Sequence, residues 1–421
     1  MDGASSALRT SAAGGRCHPI LKFAVRGGLN NQKECLVNAG IVARALNVTL
    51  ALPHFNLVGH GNEQFEPANA KYIGPYADRD RWGHFGHIFN ATWLLSTLEP
   101  SLSLLVRTRP AVGGGRPYIV RLPSIANVSR GCEGFMKWQD TCEAMPRDKR
   151  LLDMLIEDWS RVITRECSNV GGGTSGIANL GSNGRRLLDI TSRPASAHSP
   201  SEPPDGARNG AIVFDAGRSL CWNTYKSRHA TTCVEQYPFC AKMLRALRWN
   251  RVISRLQQRV LRGIARRRAN VSGVRLTDLA QGHRAGWATS GWAAVHVRAF
   301  VCARNKRDPS FAHVAPALAK LGVRSGFLYV VSSVPVELVA AALPQFTVIG
   351  KTSFLGRDAR LKYPFEVLAA VDYGIAVSAP LYLGEPQMSS FDAFIEEDRQ
   401  RHNRSVDLIP GICGTGAGPG A

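Results

Sequence analysis

Negative charge is scarce in this 421-residue chain: 32 Asp and Glu stand against 52 Lys and Arg, for a formal net charge of +20. Such a surplus suits a partner of opposite sign, yet the arginines are scattered, with denser stretches only at 245–268 and 399–404. No basic-aromatic RNA motif accompanies them, so a solvated basic face, or one that attracts a nucleotide diphosphate, accounts for the charge better than nucleic-acid binding. CxxC pairs and the Cys/His spacings of zinc sites are also missing, which excludes reading the ten cysteines as a metal centre. Long apolar runs are absent as well: the longest candidate, 326–343, is broken by Ser332, Ser333, Pro335 and Glu337, so no transmembrane segment is expected. Residues 1–16 lack the apolar core of a signal peptide.

What is present is globular. An apolar fraction of 44% with 20% charged residues, over 421 residues, predicts two α/β domains with ordinary cores. Cys132 and Cys142, and Cys221, Cys233 and Cys240, cluster in loop-like sequence that suits disulfides in an oxidising compartment. Asn-x-Ser/Thr sequons at Asn47, Asn90, Asn127, Asn270 and Asn403 point the same way, to the secretory pathway and the ER or Golgi lumen.

The stretch Arg26-Gly27-Gly28-Leu29-Asn30-Asn31-Gln32 follows a short apolar run, 21–25, and precedes helical periodicity over 31–46. Paired glycines let the backbone turn tightly and approach a ligand, and the amides project from the first helical turn. With a β-branched strand at 48–53 this makes a βαβ unit, whose ligand site lies at the carboxyl ends of its strands. Residues 54–90 read as irregular. Their histidines, 54, 60, 84 and 87, match no standard metal spacing, and Asp78-Arg79-Asp80 carries only the bare pattern of a metal-holding acidic pair. A helix near 149–165 is followed by a low-complexity insertion at 168–209, read as disordered. Order resumes with a strand at 211–214, a cysteine loop at 221–240 and a basic helical stretch at 241–268.

The second half alternates regularly. Strands are expected at 292–297, 327–331, 346–349 and 375–377, with helices at 313–321, 336–343 and 364–372, which predicts a parallel sheet covered on both faces. His296 and Arg298, two apart at a strand's end, share one side, and an arginine there can neutralise a departing diphosphate. Ser389-Ser390-Phe391-Asp392 fits a capping box opening a helix over 393–401, and its two hydroxyls at a helix start equally suit a diphosphate.

In this order the motifs resemble the GDP-fucose protein O-fucosyltransferase superfamily, including its plant-type branch. Gly27-Gly28-Leu29-Asn30-Asn31-Gln32 with 45–53 is similar to the family's first motif and second strand, His296-Val297-Arg298 to its HxR motif, and Ala369-Ala370-Val371-Asp372, Tyr382-Leu383-Gly384 and Ser389-Ser390-Phe391 to its C-terminal donor-binding block. The resemblance implies an α/β GT-B glycosyltransferase: two Rossmann-like domains, at 16–240 and 241–405 with a flexible tail at 406–421, and the donor in the cleft between them. It implies inverting transfer of fucose from GDP-fucose to a protein Ser/Thr hydroxyl, with fucosyl or rhamnosyl transfer to a glycan, or a catalytically silent sugar-nucleotide- or glycan-binding module, as alternatives. No metal or other cofactor is expected, the partners being the nucleotide sugar and a protein or glycan acceptor. Carried over residue by residue, Arg298 and Asn31 are catalytic. Gly27, Gly28, Asn30, His296, Asp372, Ser389, Ser390 and Phe391, with Arg298, hold the donor. Asn30 and Asn31 stand where some relatives carry a carboxylate, so the turn provides no general base.

Overall fold

The computed structural model describes residues 17, 19–57, 82–99, 101–105, 118–122, 151–171, 212–221, 237–272, 291–297, 314–332, 335–384, 389–402, 404 and 407–408. Arg298, residues 78–80, Cys132, Cys142, Cys233 and 172–209 lie outside them. In chain order the elements are β1 (Pro19–Lys22), α1 (Leu29–Leu46), β2 (Thr49–Ala51), β3 (Phe55–Asn56), β4 (Trp82–Gly83), α2 (Ala91–Leu98), β5 (Leu104–Leu105), β6 (Tyr118–Arg121), α3 (Leu151–Gly171) and β7 (Ile212–Asp215). Next come α4 (Pro238–Ala246), α5 (Arg251–Ser272), β8 (Trp292–His296), α6 (Val314–Lys320), β9 (Gly326–Val331), α7 (Val336–Ala342) and β10 (Phe346–Ile349). The chain closes with α8 (Thr352–Leu355), α9 (Ala359–Lys362), α10 (Phe365–Ser378), β11 (Leu381–Gly384), α11 (Ser390–Arg401) and β12 (Asp407–Leu408). They fold into two compact units: 1–24, 36–53 and 97–220 form the first, and 25–35, 54–96 and 221–421 the second.

The first unit is built on a parallel sheet of order β5-β2-β1-β7-β6. Leu21 sits in register with Leu50 and with Phe214, and all three are fully buried, as the centre of a sheet covered on both faces requires. In α3, Leu152, Leu155, Trp159 and Ile163 recur every three or four residues and form the buried stripe, while Glu157 and Arg161 pair on the opposite, exposed face. A disulfide joins Cys17, ahead of β1, to Cys167 in α3.

The second unit carries a parallel sheet of order β10-β9-β8-β11-β12. Counted within the unit from β8 this is 3-2-1-4-5, the doubly wound order whose switch point falls between β8 and β11. Its core gathers Val295 and Leu383 from those strands with Leu328, Val330, Leu318 and Val339 from their neighbours.

Two expectations are corrected here. Residues 375–377 are not a strand: α10 runs on to Ser378, and the strand is β11. Val367, Leu368, Val371, Ile375 and Ala376 are all buried, so the helix is apolar nearly all round and loses the 3.6-residue signature that distinguishes it from a strand. The stretch 241–268 is two helices, because Leu247 leaves helical geometry (φ −82°, ψ 66°) and the chain bridges Trp249 to Phe89 before α5 begins. Cys221 of the expected disulfide-forming loop pairs with Cys35, 186 residues away, and Cys240 is also disulfide-bonded.

Candidate functional site

The carboxyl end of β8 and the start of α11 meet at the switch point of the second sheet. Ser389, extended at the N-cap, accepts a hydrogen bond from the Asp392 N–H, so the predicted cap forms. The Asp392 carboxylate turns away from the cap: both of its oxygens lie 2.9 Å from His296 Nδ1, and Oδ1 also accepts from the Tyr382 hydroxyl. Burial, and then the Asp392 charge, push the Tyr382 phenol well above its usual range, so it remains a donor. A carboxylate on Nδ1 fixes the proton there and leaves Nε2 as the ring nitrogen for a ligand. The His296 ring lies tilted against Phe391, with centroids 5.0 Å apart, and Tyr373 meets Phe391 edge-on at 5.7 Å.

A second network sits behind the first. Asp372 on α10 is 3% exposed, accepting from the Tyr329 hydroxyl at 2.8 Å and pairing with Lys351. Burial raises its pKa, while Lys351, Tyr329 and the His296 charge pull it back. Lys351 Nζ also donates to the Ser332 carbonyl at 3.2 Å, and Ser332 Oγ to the Val297 carbonyl at 2.7 Å. The network therefore fastens the backbone immediately ahead of Arg298.

The glycine turn belongs to the same unit. Gly27 has φ +76°, and a Cβ there would fall 2.5 Å from Asn31 Nδ2, so both conformation and space demand glycine. Gly28 O receives the first helical bond, from Gln32 N. The Gln32 amide is spent on structure, bonding the Gly27 carbonyl and both backbone groups of Asn56. The first N–H of α1, Leu29 N, is met at 2.7 Å by Oε2 of buried Glu366 on α10. Asn30 Nδ2 donates to the Phe391 carbonyl at 3.3 Å across 361 residues of sequence. The amide of Asn30, 3% exposed, keeps its Oδ1 buried without a hydrogen-bond partner among the described residues. One turn further, Lys33 is buried against the rings of Tyr373 and Phe394 and bonds the Tyr373 hydroxyl at 3.1 Å and Asp398 at 3.5 Å. Burial, and then repulsion from Arg401, lower its pKa to about 7. Asp398 is shared with Arg401 and Tyr373, which weakens its hold on Lys33.

Of the expected site residues, Gly27, Gly28, Asn30, Asn31, His296, Asp372, Ser389 and Phe391 thus lie in one unit, Ser390 opens α11, and Arg298 is outside the described residues. Sequence reasoning missed Lys33, Tyr329, Lys351 and Glu366. The arginines of 399–404 are largely committed to structure: buried Arg399 donates to the carbonyls of Ala376 and Val377 at the end of α10 and to Pro380, and Arg404 bonds Val377. His84 and His87 stack on each other at 3.7 Å, and no group of three or more ligand-type side chains forms among the described residues.

No protein-family model and no curated protein matches the chain. Among solved structures, POFUT1 in complex with GDP-fucose is 13% identical, covering 95% of this chain and 99% of that one at a TM-score of 0.41. The fucosyltransferase NodZ from Bradyrhizobium is 12% identical, covering 90% and 92% at 0.39. Likeness at this level carries no functional weight by itself.

Proposed function

We propose that the chain is a glycosyltransferase of the GT-B type that moves fucose from GDP-fucose, with inversion, to a protein Ser or Thr hydroxyl. The supporting observation is the meeting, in one compact unit, of the glycine turn, the end of β8 and the start of α11, marked by the Asn30–Phe391 hydrogen bond. These are the motifs that carry the resemblance to the O-fucosyltransferases, and a doubly wound sheet binds its ligand at this switch point.

In the transfer, the acceptor oxygen bonds to fucose C1 as the bond from C1 to the β-phosphate oxygen breaks; GDP departs with that electron pair, and the acceptor hydroxyl's proton is lost to the departing diphosphate. Charge grows on the diphosphate, and stabilising it is a large part of the task. The Arg298 guanidinium, His296 through Nε2 and the first N–H groups of α11 take that role. Asp392 holds the imidazole in position, while Phe391 offers a ring to the guanine. Asp372, with both oxygens already bonded, acts by anchoring Lys351 and, through Ser332, the backbone leading to Arg298. Asn31 and the Gly27-Gly28 turn border the sugar. The two resolved disulfides support an oxidising, secretory-pathway compartment.

The test is GDP release from GDP-fucose by the purified chain, with and without a panel of folded extracellular domains. Acceptor-dependent release with fucose found on Ser or Thr is expected. Failure of any nucleotide sugar to bind would refute the enzyme reading, and fucose found only on glycans would refute the acceptor.

A further inference from the structure

Helix α5 carries its apolar stripe, Ile253, Leu256, Val260 and Ile264, into the core. Its other face lines a groove of about 840 Å³ with Arg251, Arg255, Arg259, Arg262 and Arg266. All five are exposed, and among the described residues none of them makes a hydrogen bond or ion pair and no acidic residue lines the groove. At 1.5 Å per residue the row from 251 to 266 is about 22 Å long, with neighbouring guanidiniums roughly one turn apart. Like charges at this spacing oppose the helix, so the row is stabilised by an anion laid along it.

The far wall is fixed. Gly263 admits the Phe354 ring from α8, where a Cβ would fall 2.2 Å from Cδ1. Arg267 covers that ring at 4.9 Å and donates to the Ser353 carbonyl.

We propose that this groove binds a linear sulfated polysaccharide. A sugar in an extended chain spans about one helical turn, roughly 5.4 Å, so sulfates can meet successive arginines, and arginine grips such tetrahedral anions bidentately. Ser254 and Gln258 line the groove with neutral partners for ring hydroxyls. A bilayer fits poorly, because the groove is concave and the buried stripe leaves α5 no apolar face to insert. Single-stranded nucleic acid needs stacking platforms, and the one ring lining the groove among the described residues, Phe354, is covered by Arg267. The disulfides suit an oxidising compartment, where sulfated glycans rather than nucleic acid are the polyanions met.

The experiment titrates the purified full chain with a fluorescent heparin octasaccharide, its desulfated form, a polyglutamate peptide of matched charge, an RNA oligonucleotide and anionic phosphatidylserine vesicles. The variant Arg255→Ser/Arg259→Ser/Arg262→Ser is compared with Arg44→Ser/Arg218→Ser/Arg324→Ser, which removes equal charge from exposed positions elsewhere. Both are checked by circular dichroism, and Arg259→Ser alone serves as a milder probe. Expected are salt-sensitive binding of the sulfated chain only, a loss of tenfold or more in the groove triple, a smaller loss in Arg259→Ser, and less than a twofold change in the control triple. Equal losses in the two triples, or binding of peptide, RNA or vesicles as tight as that of the sulfated chain, would overturn the proposal.

Discussion

Helices α1 and α11 begin side by side, linked by the Asn30 amide and the Phe391 carbonyl, and their first turns are completed by opposite means. The first N–H of α1 is met by a fixed, buried carboxylate, Glu366, so the positive end of that helix already holds an anion supplied by the protein. At α11 the cap is a neutral serine hydroxyl, and the first-turn acid, Asp392, is drawn aside to His296 and Tyr382. The first start is a joint that holds 25–35 in the second unit; the second, among the described residues, has no protein anion of its own at its cap. A glycine turn and a hydroxyl cap look equally suited to phosphate in sequence, and the placement of one glutamate separates them.

The largest effect expected is from Arg298→Ala. Loss of a leaving-group cation should cut GDP release about 100-fold or more, near 3 kcal/mol, with an unchanged melting curve; wild-type turnover would remove that role. Glu366→Ala strands a buried N–H and should lower stability by about 1–3 kcal/mol in urea titrations. Donor affinity measured on the folded variant should change little, and Glu366→Gln should restore most of the stability; a collapse of affinity at full stability would erase the distinction between the two starts. Ser389→Ala should cost about 1 kcal/mol of stability and, unlike Glu366→Ala, weaken GDP-fucose binding in calorimetry. The smallest effect concerns pH. Lys33 titrates near 7 when folded and near 10.5 when unfolded, so its penalty is full below pH 7 and fades as pH rises to about 10.5. Glu397, raised by burial against the pull of Lys33 and Arg401, works in the opposite sense at lower pH. Lys33→Met should therefore flatten the rise in melting temperature between pH 7 and 10, and a persistent rise would assign it to another group.

Much of this was legible in the sequence. The alternation after Trp292 gave the order of strands and helices because parallel strands buried on both faces are short apolar runs between turns. The Ser389–Asp392 cap was readable because it is local. Asp392's partners were not: His296 lies 96 residues away, and a first-turn acid looks the same whether it closes a capping box or holds an imidazole. Glu366 and Lys33 escaped for a similar reason, since charged residues in helices are ordinarily solvated and these are buried by partners some 340 residues distant. The partner of Cys221 stayed open in the sequence, because loop closure over 186 residues depends on the fold.

The central claim is that the glycine turn and the start of α11 build one donor site. Amide hydrogen exchange of the purified chain, with and without saturating GDP-fucose, addresses it directly. The account predicts that donor slows exchange at 389–392 strongly and at 27–32 measurably, in the same titration. Bound donor that leaves 389–392 unprotected, or that protects 389–392 while 27–32 is unchanged, would contradict it.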